Sequence, residues 1–447
     1  MIPTGKDTTS RKPTPRHEPS PAEAASVGLD LPAALAHALA LRSRANQGLE
    51  PAPVVGLAAA RERAAARAAG AALLAEGRVA TLVVAGGQGT RLGHAGPKGT
   101  FPLGPVSGRT LFGLQAEKLR GSQRRTGQAI PWIVMTSADT DSATRACFAA
   151  EGCFGLEVHF VRQRSVACVD FTGHPLPAGE GRAITAPDGH GGMLAALAES
   201  GLLEALLARG FRALACQQVD NPLARSTDPE LLGWLALGGA EAASKVVRKQ
   251  RPDEGVGSVG QRNGRIHVVE YTELDAAEAS LRAADGELRL WAGAIGIHAF
   301  ALEFLQRCAA RADELLPLHA SAKPIPYVGP DGATVAPSEP NGYKLERFVF
   351  DLLPEARSAV LVEALREDEY APVKNAHGSE SPASARRALS ACAERWLAGA
   401  GWSLPSPPCW IELDHALIDS PADAASLPVR DARAAGSGVR IGAGVSS

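Results

Sequence analysis

The sequence predicts an α/β protein with a mixed, mostly parallel central sheet, and three observations carry that prediction. Strand-like and helix-like segments alternate between residues 81 and 219, an apolar strand runs straight into glycines at Gly86, and the pattern turns β-rich after Gly255. Alternation of this kind marks a parallel sheet with helices on both faces.

The elements follow in order. Residues 1–24 are rich in Pro, Ser, Thr and charge, with too little apolar surface to offset the entropy of ordering, and read as a disordered tail. A helical region is expected over 25–78, where LPAALAHALALRSRA and AAARERAAARAAGAALLAEG set apolar residues at helical spacing. The main domain is expected over 79–390. It opens with strand TLVVA (81–85), a helix from Leu111, strand WIVMTS (132–137) and a helix over 141–150. Strand LEVHFV (156–161), a helix over 192–208 and strand FRALACQQV (211–219) continue the alternation. GVGSVGQR and RIHVVEYTEL then meet at Asn263-Gly264, a pair that favours the two-residue hairpin turn, and LRLWAGAIGIHAF reads as another strand. Residues 391–447, rich in Ala, Pro and Ser with weak periodicity, read as a short, poorly defined C-terminal region.

A chain of 447 residues accommodates one large domain with additions. Its 46 basic and 48 acidic residues balance, so no global field points to nucleic acid or an anionic membrane as partner. The N-terminus lacks an apolar signal core and no later run is long enough to span a bilayer, so a cytoplasmic location is expected. The seven cysteines form no CxxC and no ligand-like cluster, which argues against a zinc site or a disulfide framework.

The densest chemical signal is 81-TLVVAGGQGTRLGHAGPKG-99. Glycines allow close backbone approach and positive φ, so their N–H groups can form an anion nest. Arg91 offers a fixed fork of donors to phosphate oxygens and Lys98 a compact cation. A dinucleotide fingerprint fails because Leu92 stands where its third glycine belongs, and a P-loop fails for want of Gly-Lys-Ser/Thr. In 216-CQQVDNPL-223 a strand ends at Asp220, where open α/β sheets bind ligands, although an Asp after a strand is more often a cap.

AGGQGTRLG followed by PKG resembles the nucleotidyltransferase signature of UDP-sugar pyrophosphorylases, and the eukaryotic-type UDP-N-acetylhexosamine pyrophosphorylases in particular. The match continues in order through PWIVMTSADT, APDGHGG, VDNPLA, VVEYTEL, PNGYKLERFVFD and LREDEYAPVKNA. The resemblance implies a Rossmann-like nucleotidyltransferase core of the sugar-nucleotide type with small flanking domains. It implies uridylyl transfer from UTP to a sugar 1-phosphate, N-acetylglucosamine 1-phosphate first, releasing a UDP-sugar and pyrophosphate with Mg²⁺ as cofactor.

Residue by residue, the resemblance assigns Arg91, Lys98 and Lys374 to the reacting phosphates and Asp220 to the metal. Gly86, Gly87, Gln163, Gly191 and Lys344 are assigned to the nucleotide, the Gln163 carboxamide offering a donor and an acceptor to uracil. Asp188, His190, Gly257, Glu270, Tyr271 and Ile297 are assigned to the sugar, with Glu270 and Tyr271 on the returning hairpin strand. Read without that resemblance, Lys344 is a solvated helix lysine and Glu367, Asp368 and Glu369 a solvated acidic run. Two positions depart from the family pattern, since relatives carry asparagine where His190 and Ile297 stand here. The departures favour, as an alternative, a UDP-glucose or broad-specificity enzyme. A UDP-sugar-dependent glycosyltransferase or a non-catalytic nucleotide-sugar sensor would leave the Arg91 and Lys98 loop unexplained.

Overall fold

The computed structural model describes residues 29–405, 409–428 and 438–442, and the tail expected over 1–24 lies outside them. Nine strands build the central sheet: β1 (Val79–Val84), β2 (Trp132–Thr136), β3 (Val158–Arg162), β4 (Ala213–Gln218), β5 (Ala242–Arg248), β6 (Gly257–Arg262), β7 (Arg265–Val269), β8 (Ala292–Ala301) and β9 (Ala359–Glu363). They run in the order β7-β6-β8-β4-β1-β2-β3, with β5 paired to both β8 and β9. The sheet is mixed, as expected, and its parallel character is confined to β4-β1-β2-β3 and the β5-β9 edge. β1 and β4 are covered on both faces, which is why VATLVV and ALACQQ lack a polar alternation.

β8 carries the feature that opens the site. Along one edge its first residues pair with β6 and its last with β4, while β5 follows the other edge. The register with β5 slips between Ala294 and His298, and Gly296 takes φ +67, a left-handed conformation that only glycine adopts without steric cost. A crevice is left between the carboxyl end of β4 and the start of β6, where ligands of open α/β sheets bind. β6 and β7 are joined through Asn263 and Gly264, both at positive φ (+49 and +72), the tight turn expected of that pair.

Helices Leu111–Thr126, Pro229–Leu237 and Pro382–Gly399 cover one face over a core that includes Val83, Ala215 and Ile297. The other face, with Leu82, Leu214 and Phe300, is covered by Met193–Glu199, Leu202–Ala208 and Leu302–Ala309. The single helix expected over 192–208 is thus two, broken where Gly201 takes φ +70. Helix Ala60–Ala75 crosses Pro229–Leu237 so closely that a Cβ on Gly70 would overlap the Pro229 carbonyl, and one on Gly233 the Ala66 carbonyl.

The C-terminal part is more regular than its composition indicates. Ser381 Oγ accepts the Ser384 N–H to start an 18-residue helix, Pro382–Gly399, which buries Ala385, Leu389, Cys392, Ala393 and Trp396 along one stripe and runs across residue 390. Strands Trp410–Leu413 and Gly438–Ile441 then pair in parallel. Alanine and serine on that stripe blur the apolar periodicity, so the helix is hard to see in sequence.

Candidate active site

β1 delivers its glycines to the carboxyl edge of the sheet. Ala85 N–H still bonds Met135 O at 2.8 Å, and the chain leaves the sheet at Gly86. A Cβ on Gly86 would overlap the Gln163 carboxamide, and Ser137 Oγ donates to the Gly86 carbonyl at 2.8 Å. Gly89 N–H donates to Gly96 O at 2.8 Å and Lys98 N–H to Gly87 O at 2.9 Å, so the segment between is a closed excursion with Arg91 exposed on it. Lys98 is returned to the sheet edge, where its Nζ lies 2.9 Å from Asp220 Oδ2.

The loop after β4 is stitched to a distant segment. Gln115 Nε2 donates to Val219 O at 3.2 Å, and buried Lys118 Nζ to Pro222 O at 2.6 Å and Ala224 O at 3.0 Å. Asn221 Nδ2 donates to Glu369 O at 2.7 Å, Asn221 Oδ1 accepts the Ala371 N–H at 3.1 Å, and Val373 N–H donates to Asp220 O at 2.9 Å. This lacing carries Lys374 to the same crevice. Its Nζ sits 3.2 Å from Glu380 Oε1 and 3.4 Å from the Tyr370 hydroxyl. Burial alone would lower the Lys374 amine, but Tyr370, Glu380 and Asp220 together raise it above the ordinary range.

Of the acidic run expected to be solvated, Glu367 is exposed, but Asp368 is half-buried and Glu369 buried. Glu369 is 3% exposed, and its Oε1 accepts from Lys245 Nζ and Arg225 Nη2, both at 2.6 Å. Asp368 Oδ1 accepts from Arg395 at 2.6 Å and from the Trp396 indole at 3.2 Å. The partners come from other elements, so local charge density gave no sign of them.

A cleft of about 210 Å³ is lined by His190, Asp220, Gly257, Glu270, Tyr271 and Lys374. Val349 N–H donates to His190 Nδ1 at 3.0 Å, which requires a neutral ring with its proton on Nε2. Burial, with His298 and His319 nearby, pushes His190 down to about 3. Glu270 stands just past β7 rather than on it, its carbonyl accepting the Glu273 N–H at 2.9 Å and the Leu274 N–H at 3.0 Å. Burial and the adjacent Glu273 push its carboxyl up to about 7. β8 adds Ala294, Ile295 and Gly296 to the lining.

Other expected residues fall outside this cleft. Gly86, Gly87, Gln163 and Gly191 form its neighbour, with Gln163 Nε2 donating to Gly189 O at 3.5 Å and Gly191 N–H to Arg347 O at 2.9 Å. Asp188 is 1% exposed beneath Gly192, and its carboxylate oxygens have no partner among the described residues, so it supports the glycine loop from behind instead of meeting a sugar. Burial pushes Asp188 up to about 7. Ile297 is 1% exposed in the core beneath the sheet, not in the pocket, because the β8 irregularity presents Ala294 to Gly296 there. Lys344 lies on a strand, Gly342–Glu346, and not on a helix. Burial raises the Glu346 carboxyl, and Lys344, Lys323, Arg91 and His319 oppose the rise. Lys323, Glu380, Tyr370, Phe350 and Ala294 were not picked from sequence. Tyr370 and Phe350 stand inside the family-like stretches LREDEYAPVKNA and PNGYKLERFVFD, whereas a small apolar Ala294 gives no sequence signal.

Known proteins resemble the chain in sequence and in fold. The family model described as UTP–glucose-1-phosphate uridylyltransferase matches residues 56–381. Human UDP-N-acetylhexosamine pyrophosphorylase-like protein 1 is 40% identical over 335 residues, which cover 72% of this chain and 66% of that protein, just under two thirds of its length. The UDP-N-acetylglucosamine pyrophosphorylase of Saccharomyces cerevisiae is 37% identical over 341 residues, covering 73% of this chain and 71% of the yeast protein. Among solved structures, the UDP-N-acetylglucosamine pyrophosphorylase of Trypanosoma brucei in complex with an inhibitor superposes with a TM-score of 0.78 at 28% identity, covering 92% of this chain and 90% of that one.

Proposed function

The chain belongs to the UTP–glucose-1-phosphate uridylyltransferase family, and from that membership we propose that it transfers the uridylyl group of UTP to a sugar 1-phosphate, N-acetylglucosamine 1-phosphate first, giving a UDP-sugar and pyrophosphate. The observation that carries this reading is the convergence of Lys98, Asp220 and Lys374 on one crevice that also holds Glu270 and Tyr271.

In this reading the uracil rests over Gly86 and Gly87 with the Gln163 carboxamide at its edge, flanked by Gly191. Arg91, Lys98 and Lys344 face the triphosphate, and Lys374 faces the acceptor phosphate. A phosphate oxygen of the sugar 1-phosphate forms a bond to the α-phosphorus as the bond to the departing pyrophosphate oxygen breaks. The acceptor is already ionised near neutrality, so no side chain need take a proton. Catalysis is then positioning and charge neutralisation.

Asp220 suits a magnesium ion, which asks for one or two carboxylates and takes its other ligands from phosphate oxygens and water. Among the described residues no cluster of three or more His, Cys, Asp or Glu offers an alternative. When bound there the ion would offset triphosphate charge. The near-balance of acidic and basic residues gives no global field that would draw nucleic acid or an anionic membrane. Among the described residues no single helix is long and apolar enough to cross a membrane.

A second reading, broad use of hexose 1-phosphates, is favoured by one observation: β8 lines the cleft with Ala294, Ile295 and Gly296, whose side chains offer no hydrogen bond. Pyrophosphate release from UTP with N-acetylglucosamine, N-acetylgalactosamine, glucose and galactose 1-phosphates, with Mg²⁺ or EDTA, tests both readings. Release with the N-acetylated sugars and Mg²⁺ is expected. No release with any acceptor, alongside sugar transfer from a UDP-sugar, would replace the reading with a glycosyltransferase.

A further inference from the structure

We propose that His319 is a positioning residue that fixes the sugar side of the cleft by clamping two of its wall segments together. The inference rests on the uridylyltransferase reading above. His319 opens the strand His319–Lys323, which pairs with Gly342–Glu346, and it does not line the cleft itself. Its Nδ1 lies 2.8 Å from Glu273 Oε1 and its Nε2 2.9 Å from Asp351 Oδ2. An ionised carboxylate only accepts, so a ring placed between two of them donates from both nitrogens and carries a positive charge. Burial alone would lower the imidazole, yet Asp351 and Glu273 together push it up to about 10.

Each end of the clamp grips a different wall. Glu273 N–H donates to Glu270 O at 2.9 Å, closing the turn that presents Glu270 and Tyr271. Asp351 N–H donates to Phe348 O at 3.1 Å, closing the turn that contains Phe350, and Phe350 also faces the cleft. The His319 ring centroid is 4.6 Å from that of Phe348, which stacks at 5.3 Å on His190. One cation thus ties the Glu270 turn to the Phe348 stretch, which Val349 N–H and Gly191 N–H in turn join to the His190 loop. Among the described residues Lys98 and Asp220 share no hydrogen bond with it, nor do Gly191 and Lys344 on the neighbouring loop and strand, so UTP binding should depend on it far less than sugar binding does.

The test is steady-state kinetics of His319→Ala and His319→Gln with pyrophosphate release as readout, plus calorimetric binding of UTP and of UDP-N-acetylglucosamine. The expected result is a KM for the sugar 1-phosphate raised about tenfold or more, with the KM and the Kd for UTP within twofold of wild type. Glutamine can make one of the two hydrogen bonds but carries no charge, so it should fall between alanine and histidine. Should His319→Ala not fold, the same split in His319→Gln decides. Equal losses for both substrates, or none for either, would overturn the clamp. Wild-type protein that binds UTP but uses no sugar 1-phosphate would instead overturn the uridylyltransferase reading, which separates the two failures.

Discussion

Lys98 Nζ sits 2.9 Å from Asp220 Oδ2, so the cation of the glycine loop and the acid at the end of β4 are paired across 122 residues of sequence. In the proposed reading Lys98 meets the triphosphate directly and Asp220 through a magnesium ion. Lys98→Ala and Asp220→Asn should each lower kcat by on the order of 10²- to 10³-fold, the usual effect of removing one preorganised charge. Because they act on one group, the double variant should lose little more than the worse single one. Losses that multiply would show that the two act independently. Circular dichroism should report an unchanged fold, and Asp220→Asn should need far more Mg²⁺ than wild type.

Lys374 has a less ordinary support. Glu380 takes φ +52, a conformation that a residue with a Cβ holds at a cost of about 1 to 3 kcal/mol, and its carbonyl accepts the N–H of Lys374 at 2.7 Å and of Asn375 at 2.9 Å. Its carboxylate reaches Lys374 Nζ at 3.2 Å. Lys374→Ala should cut kcat on the order of 10²-fold or more. Glu380→Gln keeps the backbone and removes the charge, so its expected effect is smaller, roughly tenfold, through a lysine that wanders from its aim. A Glu380→Gln enzyme with wild-type kcat would remove Glu380 from the account.

Glu270 supplies a pH dependence with a definite sign. Its carboxyl is raised from the usual 4.5 to about 7, first by burial and then by Glu273. A carboxyl raised in the folded state stabilises the fold fully below about pH 4.5, and that contribution is lost as pH climbs through about 7. Accepting sugar hydroxyls needs the ionised form, so the KM for the sugar 1-phosphate should fall as pH rises from 6 to 8. In Glu270→Gln the fall beyond that due to the substrate's own phosphate should vanish. An unchanged profile would mean that Glu270 does not meet the sugar.

Stability offers a check independent of activity. Gly70 and Gly233 let helices Ala60–Ala75 and Pro229–Leu237 touch backbone to backbone, and a methyl at either would overlap a carbonyl oxygen that cannot move aside. Gly70→Ala and Gly233→Ala should each cost at least about 2 kcal/mol by urea unfolding. A cost near zero would mean that the helices slide apart freely.

What the sequence made legible was local. The glycine loop after β1 and the Asn263-Gly264 turn each declare themselves within a few residues, whereas the Asp at the end of β4 stands out only through the family resemblance. Glu369 did not, because its partners Lys245 and Arg225 lie 124 and 144 residues away. His319 gives no local signal for the same reason, its carboxylates being 46 and 32 residues distant. Asp188 stands beside residues of the cleft in sequence, but the positive φ of Gly189, +88, turns the chain so that the carboxylate goes under the loop. The helix Pro382–Gly399 was hidden by small residues whose periodicity is weak.

The cleft wall on β8 differs from what the resemblance implies. The family resemblance sets Ile297 of WAGAIGIHAF against the sugar, and on that basis Ile297→Asn should narrow the range of substrates. Instead the register slip between Ala294 and His298 leaves Ile297 1% exposed in the core with Val83 and Ala215, while Ala294 shares the cleft with Gly257, Glu270 and Tyr271. Ile297→Asn would bury an amide among aliphatic side chains and remove packing there, a loss of about 3 kcal/mol or more. Its effect should appear in the unfolding midpoint, with the ratio of kcat/KM between sugars unmoved. Ala294→Asn should do the opposite: it adds a donor and an acceptor to the cleft wall with little change in stability. A polar group in such a wall discriminates more strongly than an apolar one, so the ratio of kcat/KM for N-acetylglucosamine against glucose 1-phosphate should shift by at least about tenfold. A selectivity change in Ile297→Asn together with none in Ala294→Asn would reverse the assignment of which residue on β8 meets the sugar.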